Sequence, residues 1–348
     1  ETKSNFLKAC FGIPTDSTPI WLMRQAGRIL PQYRDLRSNY ESIQTLFTTP
    51  ELAAKITIMP IETLGVDAAI LYTDLVTPLA PLGCSFTYSP GPIFENPIRT
   101  ESQIKSLKEF EAEKELSYVT QAIDIVCDRL PKQIPLIGYA GSPFTLAAWL
   151  IEGKSSKDYT VTRTLFNSNP EIAHLLMNKL TDLVIDFLNA QINHGVKAIQ
   201  LFDTSLGVIS ASSFAEFVLP YLKRIFDELA KHAIPRIYYP LGASHCMHLY
   251  HKIPMEVLGL DWRSPIEDGY KALGNTGGSV QGNLDPTILY TNPQTITSAV
   301  KLILDQVGNR PHIFNLGHGL QPDMPYENVQ HLIKEVNRLS QRKLYVES

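Results

Sequence analysis

Long stretches with helical spacing of apolar residues mark out much of this chain. Residues 170–187 repeat apolar side chains every three or four positions, and the pair Asn169-Pro170 in front of them is typical of a helix start. Residues 51–64 form a second stretch of this kind, and Gly65 follows it directly. Glycine commonly ends helices, so the pattern predicts a helix over each stretch.

A short apolar run follows each of these helices. Residues 65–72 (GVDAAILY) and 195–202 (GVKAIQLF) match in the placement of glycine, valine, alanine, leucine and an aromatic residue. The apolar part of each is too short for a helix and is typical of a strand buried on both faces. The match indicates that one αβ unit is reused along the chain.

Eight short apolar runs of this kind are separated by helix-length segments. They are residues 19–23, 68–72, 134–139, 198–202, 236–239, 257–260, 279–281 and 312–315. Eight strands alternating with helices are the count of a (β/α)8 TIM barrel. We therefore predict an α/β fold in which residues 1–348 form one (β/α)8 barrel domain, with the active-site cleft at the carboxyl ends of the strands. An open doubly wound sheet is the alternative.

Composition narrows the classes of partner. The chain carries 31 basic and 35 acidic residues, a net charge of -4, without a basic run suited to tracking phosphates, so nucleic acid is not expected as a partner. No apolar stretch reaches membrane-spanning length and the first residues are polar, so we expect no membrane association and a cytoplasmic location. Because the chain begins without Met, a removed transit peptide and a plastid location stay open. Four widely spaced cysteines predict buried thiols rather than disulfides.

Polar residues cluster directly after the predicted strands, where a barrel holds its catalytic groups. They include Arg24, Arg28, Asp74, Ser142, Asp203, Thr204, Asp261, Asn283 and His318. His245 and His248 lie one helical turn apart, but no third ligand is spaced to match them. The chain shows no phosphate-binding loop, no G-x-S-x-G elbow and no dinucleotide fingerprint after a strand. We therefore predict neither a metal nor a cofactor.

The loop after the first run is rich in arginine. Arg24 and Arg28 follow an apolar strand, and Gly27 lets the backbone turn tightly enough for both to converge on one ligand. Guanidinium groups suit carboxylates or phosphates, so these two are predicted to bind an anionic substrate. For Arg34 and Arg37 we expect a structural role, paired with acids on a helix surface.

Two further residues have a functional and a structural interpretation. Asp74 ends a strand, where it either caps the next helix or points into the cavity as an ionised acceptor of several N–H groups. His318 lies between two glycines, which leave its imidazole unshielded and make it an unusual core histidine.

Several segments resemble the uroporphyrinogen decarboxylase family. PIWLMRQAGR (residues 19–28) is similar to the family's N-terminal signature, and GYAGSPFTL (138–146) with IEG (151–153) is similar to its second signature. Four further blocks fit in order along the chain. They are LYTD (71–74), QLFDT (200–204), GNLDP (282–286) and NLGHG (315–319).

The resemblance implies a homodimeric (β/α)8 carboxy-lyase that converts uroporphyrinogen III to coproporphyrinogen III in heme and chlorophyll biosynthesis, without a metal or prosthetic group. Carried over by position, Arg24, Arg28, Asp74 and His318 match active-site residues of the family, and Thr204 stands where the family often has Ser. Trp149 replaces a Tyr of the family's pocket, where its indole is expected to wall the substrate site and donate one hydrogen bond.

The mechanism expected from this resemblance assigns catalysis to three residues. Asp74 accepts the pyrrole N–H bonds and stabilises a cationic ring, while Arg24 and Arg28 anchor carboxylates and one of them delivers a proton.

Two other functions stay open. A zinc-dependent methyltransferase of the same superfamily needs a His-x-Cys pair and a distant Cys, and the spacing of residues 245–248 (HCMH) does not match it. The second is a non-catalytic tetrapyrrole-binding protein, which the replacement at Trp149 makes conceivable.

Overall fold

A sheet of seven short parallel strands forms the centre of the computed structural model, which describes residues 4–274 and 277–342. Residues 1–3, 275–276 and 343–348 of the predicted domain lie outside the described residues. The strands are β1 (Ala69–Ile70), β4 (Leu136–Gly141), β5 (Ala198–Asp203), β6 (Arg236–Pro240), β7 (Val257–Gly259), β8 (Ser279–Gln281) and β9 (His312–Ile313). They lie side by side in the order in which they occur along the chain, and every neighbouring pair is parallel. The open doubly wound alternative is therefore wrong, because its strand order reverses part-way across the sheet.

Seven of the eight predicted runs each overlap one strand of this sheet, with ends shifted by at most two residues. The eighth, residues 19–23, is not a regular strand among the described residues. Only Ile20 pairs, through an isolated parallel bridge to Phe314. On its other side, Ile20 donates its N–H to Oδ2 of Asp67 at 2.8 Å and accepts the Asp67 N–H at 2.8 Å. The Asp67 side chain thus makes one of the hydrogen bonds that a neighbouring strand would make. The segment lies between β1 and β9, the two ends of the sheet.

Helices fill the segments between the strands. The α-helices are α1 (Asn5–Cys10), α2 (Pro31–Arg37), α3 (Ile43–Thr48), α4 (Pro50–Leu64), α5 (Glu101–Lys105), α6 (Ala112–Glu115), α7 (Ser117–Arg129), α8 (Pro143–Glu152), α9 (Thr160–Ser168), α10 (Pro170–Asn193), α11 (Ala211–Phe217), α12 (Leu219–Leu229), α13 (Ile266–Leu273), α14 (Pro293–Val307) and α15 (Tyr326–Leu339). Short 3-10 helices span Thr77–Leu82, Leu206–Val208, Ala230–His232, Ser244–Lys252 and Pro286–Tyr290. An antiparallel hairpin of β2 (Phe86–Tyr88) and β3 (Pro92–Phe94) projects between β1 and α5.

The two helices predicted from apolar spacing are present as α4 and α10. Gly65 caps α4 in the left-handed conformation, with φ of 68°. Asn169 precedes α10 as expected, but its side chain makes no capping bond, so the helix start depends on Pro170 at the first position. The stripe of apolar side chains is buried against the rest of the core.

Polar side chains cross the interior of the sheet in one chain of hydrogen bonds. Trp21 donates its indole N–H to Oε1 of Gln281 at 2.9 Å, and Gln281 donates its amide to Oε1 of Gln200 at 2.9 Å. All three residues are fully or almost fully buried. Because buried polar groups are costly without partners, this chain fixes residues 19–23 against strands β5 and β8.

Within the described part of the chain, no helix is both long enough and apolar enough to cross a membrane. All four cysteines are free thiols. Cys10, Cys84 and Cys246 are buried as predicted, whereas the prediction is wrong for Cys127, which is exposed near the end of α7.

Candidate active site

A cavity of about 550 Å³ opens at the carboxyl ends of β1, β4 and β5. Five of the six predicted site residues line it, namely Arg24, Arg28, Asp74, Thr204 and His318. The loop after residues 19–23 supplies the two arginines, and the loop after β9 supplies the histidine. Side chains that are almost 300 positions apart in sequence therefore meet in one cavity. They were selected because polar residues that follow strand ends lie at the same face of such a sheet.

The two arginines carry guanidinium groups without partners among the described residues. Neither takes part in a hydrogen bond or ion pair through its side chain, and both are exposed at the cavity. Arg24 itself lies in the left-handed region, with φ of 64°, which is uncommon for a residue with a side chain. Gly27 lies in a tight turn as predicted, since its carbonyl accepts the Leu30 N–H at 3.0 Å and a Cβ at position 27 would lie 3.3 Å from the carbonyl oxygen of Arg24. Unpaired cations in a cleft favour an anionic ligand.

Gly319 makes room for Arg24. A Cβ at position 319 would overlap Cδ and Cγ of the arginine. The two loops are also joined by the backbone, since Leu320 donates its N–H to the carbonyl of Met23 at 2.9 Å. Arg24 therefore lies against the backbone of the loop that carries His318.

Arg34 and Arg37 have structural roles, as expected, but with different partners. Arg34 donates to the carbonyls of Arg28 and Ile29, at 2.8 and 3.2 Å. Arg37 donates to the carbonyls of Tyr40 and Glu41. The prediction that they pair with acids is wrong, because backbone carbonyls within reach of the loop accept their N–H groups.

Asp74 is half-buried at the cavity wall. Its Oδ2 accepts the Tyr88 hydroxyl at 2.8 Å, and its Oδ1 accepts the Val76 N–H at 3.4 Å. The following 3-10 helix, Thr77–Leu82, has Val76 at its N-cap without a side-chain capping bond, so Asp74 is not its cap. Burial raises the pKa of Asp74, while the bond from Tyr88, nearby backbone N–H groups and the charge of Arg24 act in the opposite direction.

An aromatic wall completes the cavity, and sequence reasoning missed it. Its members are Tyr33, Phe47, Tyr72, Tyr139 and Phe202. Their hydroxyls are engaged, since Tyr33 and Tyr72 share a hydrogen bond of 2.8 Å and Tyr139 donates to the carbonyl of Thr73 at 2.6 Å. Rings with satisfied polar tips form an apolar surface along the cavity.

Tyr88 was also missed, because it lies on the β2–β3 hairpin rather than at a strand end of the main sheet. The turn residues Ser89, Pro90 and Gly91 between two short β-branched or aromatic runs were the signal for this hairpin. Its position over Asp74 depends on tertiary packing that local sequence does not encode.

His318 is more enclosed than predicted. Its ring lies parallel to Tyr239 with 6.5 Å between ring centres, and Nδ1 is 3.4 Å from the Tyr239 hydroxyl. Burial lowers the pKa of His318 to about 4, with further lowering by the charges of Arg24 and Arg263. The imidazole is therefore neutral near pH 7, and because Nδ1 faces the Tyr239 hydroxyl, Nε2 is the nitrogen left for a ligand.

Thr204 and Trp149 differ in their positions. Thr204 lines the cavity at the end of β5. The preceding Asp203 is fully buried beneath it and accepts hydrogen bonds from Ser142, Thr145 and Tyr238, at 2.5, 2.8 and 2.8 Å. Trp149, on α8, packs half-buried against the core and is not among the residues that line the cavity.

Across residues 4–274 and 277–342, no group of three or more His, Cys, Asp or Glu side chains is placed to hold a metal ion. Nε2 of His245 lies 2.7 Å from the carbonyl oxygen of Ile209 and is engaged there.

Comparisons with known proteins agree along the whole chain. The sequence profile described as "Uroporphyrinogen decarboxylase (URO-D)" matches residues 1–339. Uroporphyrinogen decarboxylase from Geotalea daltonii is 44% identical over 340 residues, which cover 97% of this chain and 99% of the relative. The protein of the same name from Geobacter sulfurreducens is also 44% identical, with the same coverage.

Solved structures with a similar fold are more distant in sequence. A methyltransferase from Methanosarcina mazei superposes with a TM-score of 0.76 over 96% of this chain and 97% of that one, at 18% identity. A B12-independent methionine synthase from Shewanella gives a TM-score of 0.57 over 86% and 89%, at 10% identity. At these identities the likeness shows the fold alone. The profile and the full-length relatives decide the family: the chain is an enzyme that belongs to the uroporphyrinogen decarboxylase family.

Proposed function

We propose that this enzyme removes the acetate carboxyl groups of uroporphyrinogen III and releases coproporphyrinogen III and CO2. The observation that carries the proposal is that the Asp74 carboxylate lines the same cavity as the unpaired guanidinium groups of Arg24 and Arg28. The cavity thus offers an acceptor for pyrrole N–H groups, cations for carboxylate arms, and an aromatic wall for the macrocycle.

The chemistry requires little beyond proton transfer. Protonation of the ring carbon next to the one that bears the acetate arm makes the ring cationic. The C–C bond to the carboxylate then breaks, its electron pair forms an exocyclic C=C bond that neutralises the ring, and CO2 leaves. A second proton converts the exocyclic methylene to a methyl group, and the ring carbon releases the first proton, so one proton is consumed for each CO2. Because the pyrrole accepts the electrons, the chain's own residues need only bind, orient and move protons.

Each site residue has a role in this proposal. The Asp74 carboxylate accepts the pyrrole N–H groups and stabilises the cationic ring, since a carboxylate retains acceptor capacity after its bond from Tyr88. Arg24 and Arg28 hold carboxylate arms, and one of them donates the proton. Neutral His318 and the hydroxyl of Thr204 orient a further arm. Trp149, which does not line the cavity, acts at most through the packing of α8.

We further propose that residues 19–23 close the sheet as the eighth member of a (β/α)8 barrel, and that residues 1–348 form one domain. Pro19 and Trp21 exchange backbone bonds with Phe314, and Ile20 bonds to Asp67 on its other side. These bonds support closure, because they join the two ends of the sheet. The homodimer and the cytoplasmic location expected from the sequence remain predictions. Sedimentation equilibrium of the purified chain tests the first, and fractionation of source cells tests the second.

The decisive test uses uroporphyrinogen III under reducing conditions and follows the carboxyl number of the products. We expect the wild-type chain to yield coproporphyrinogen. Asp74→Asn should lower kcat by a factor of about 100 or more, since loss of a preorganised electrostatic group typically costs about 3 kcal/mol.

Asp323→Asn is a matched control, because Asp323 accepts a tyrosine hydroxyl, that of Tyr290, but is exposed and does not line the cavity. It should leave kcat unchanged. A wild-type chain that binds the substrate without releasing CO2 would point instead to a non-catalytic binding protein, and an Asp74→Asn variant with wild-type kcat would remove Asp74 from the mechanism.

A further inference from the structure

A second recess adjoins the active-site cavity at Thr204. It encloses about 330 Å³, and its walls include Lys157, Ser205 and Arg263. Thr204 lines both spaces, so the recess continues the cavity beyond the end of β5. Nothing in the proposed mechanism uses it.

The recess carries positive charge without a lining carboxylate. No acidic residue is among those that form its walls. Lys157 is exposed, and within the described residues its amine takes part in no ion pair. Arg263 is half-exposed, lies 4.0 Å over the ring of Trp262, and pairs with Asp261 at 3.0 Å through one nitrogen only. Its remaining N–H groups can bind a second anion.

The Ser205 hydroxyl is the second sign of a ligand site. Ser205 is only 2% exposed, and its Oγ has no hydrogen-bond partner among the described residues. Its backbone N–H is bonded to Oγ1 of Thr145 at 3.2 Å, which fixes the residue in place. A buried hydroxyl without a partner is costly, and a ligand oxygen at this wall would satisfy it.

His318 lies within the fields of both basic groups. Burial lowers the pKa of His318, and the charges of Arg24 and of Arg263 lower it further. Arg24 belongs to the first loop and Arg263 to the loop after β7, so the cleft has two separate basic poles, and Thr204 lines the space beside each of them.

We propose that the recess formed by Lys157, Ser205 and Arg263 is a second carboxylate subsite, which holds an arm of the substrate distant from the one held by Arg24 and Arg28. This inference rests on the proposed function. Uroporphyrinogen carries an acetate and a propionate on every pyrrole, so its arms project in all directions around the ring, and a single basic pole cannot reach all of them. Contact at two poles fixes the rotation of the macrocycle and thereby selects which acetate lies at Asp74.

The test is kinetic. Lys157→Gln and Arg263→Gln should each raise the KM for uroporphyrinogen III about tenfold, which corresponds to about 1.4 kcal/mol, with a much smaller change in kcat. Such a change in KM alone is expected for a group that binds ground state and transition state equally. Lys154→Gln is the matched control, because Lys154 is an exposed lysine of the same loop that does not line the recess.

Binding of uroporphyrin, which retains every acetate and propionate arm, provides a second measurement that does not depend on turnover when it is followed by quenching of intrinsic fluorescence. The proposal expects a similar loss of affinity in both variants, and it is overturned if Lys157→Gln retains wild-type KM and wild-type affinity. If Arg263→Gln fails to fold because its pair with Asp261 is lost, the result for Lys157→Gln alone tests the proposal. If the wild-type chain releases no CO2, the proposed activity fails, while the binding comparison still tests the recess.

Discussion

The carboxylate of Asp74 is held by a residue from outside the main sheet. Tyr88 donates to Oδ2 from the β2–β3 hairpin, and it does not itself line the cavity. The other ionisable groups that affect or are affected by this carboxylate are Arg24, whose charge lowers its pKa, and Tyr139, whose own pKa the carboxylate raises. Tyr88 is therefore a positioning residue that orients the carboxylate and favours its ionised form.

Tyr88→Phe should move the acid limb of kcat/KM to higher pH. The hydroxyl stabilises the carboxylate, so its removal raises the pKa of Asp74, and a larger fraction is protonated and inactive at a given pH. The measurement is a pH profile of wild-type and variant enzyme. Tyr290→Phe, which removes a hydroxyl from a surface carboxylate, should leave the profile in place. An identical acid limb in Tyr88→Phe would show that Tyr88 does not act on Asp74.

For single residues, a position directly after a strand was the feature of the sequence that predicted the site. Arg24, Asp74 and His318 were placed in the cavity by that rule because backbone topology fixes which loops meet. Trp149 was not, since its position depends on the rotation of α8 against the core. Lys157 and Arg263 were missed because neither directly follows a strand.

Among the elements, residues 19–23 depend on the side chain of Asp67. Asp67 receives the Ile20 N–H on its carboxylate and returns its own N–H to the Ile20 carbonyl, both at 2.8 Å. Burial raises the pKa of Asp67, and the bond from Ile20 opposes that rise. The segment that leads into Arg24 is therefore fixed on one side by a side chain and on the other by Phe314.

Asp67→Ala should release this segment. Leaving the Ile20 N–H without its partner costs about 1 to 3 kcal/mol, so hydrogen exchange at the Ile20 amide should speed up and KM should rise as Arg24 loses its fixed position. Asp67→Asn keeps an oxygen acceptor and should retain more of the protection. If Ile20 exchanges at the wild-type rate in Asp67→Ala, the segment is held by its other contacts and the proposed closure at this edge loses its support.

The order of the elements could be predicted from the sequence, whereas the regular hydrogen bonding of each strand could not. Apolar runs between helical stretches identified seven strands with small errors at their ends, because buried parallel strands need continuous apolar sequence. The same pattern at residues 19–23 gave an isolated bridge, because the Asp67 side chain occupies the N–H that a ladder would use. The pattern of apolar residues does not indicate which group will accept the hydrogen bond of a given backbone N–H.

For the molecule as a whole, a buried histidine couples folding to pH. His312 in β9 is almost fully buried, with Nε2 at 2.7 Å from the Gly282 carbonyl oxygen. Burial lowers its pKa from 6.5 to about 4. The unfolded chain therefore binds the proton first as pH falls. The stability contributed by neutral His312 is fully present above pH 6.5 and is lost between pH 6.5 and about 4.

Denaturant unfolding at pH 7 and pH 4 measures this effect. The shift corresponds to about 3 kcal/mol, so the fall in the free energy of unfolding between pH 7 and pH 4 should be about that much larger in wild type than in His312→Gln. His251→Gln, at an exposed histidine, should behave as wild type. Equal pH dependence in wild type and His312→Gln would contradict the assignment. The same curves test the proposal of one domain, which expects a single transition.

The family and the parallel α/β architecture could be predicted from the chain alone, because signatures and strand order are sequence properties. The extent of the cleft could not be predicted from the chain alone, since it depends on how the loops after β5 and β7 approach each other around Thr204.

Gly319 links the sequence of the loop after β9 to that of the loop that carries Arg24. The volume that its missing side chain leaves free is occupied by the aliphatic part of Arg24. A larger residue at position 319 would therefore displace the Arg24 side chain from this place, unless a shorter residue stood at position 24. In related chains these two positions should change as a pair or stay fixed together, although 295 positions of sequence separate them.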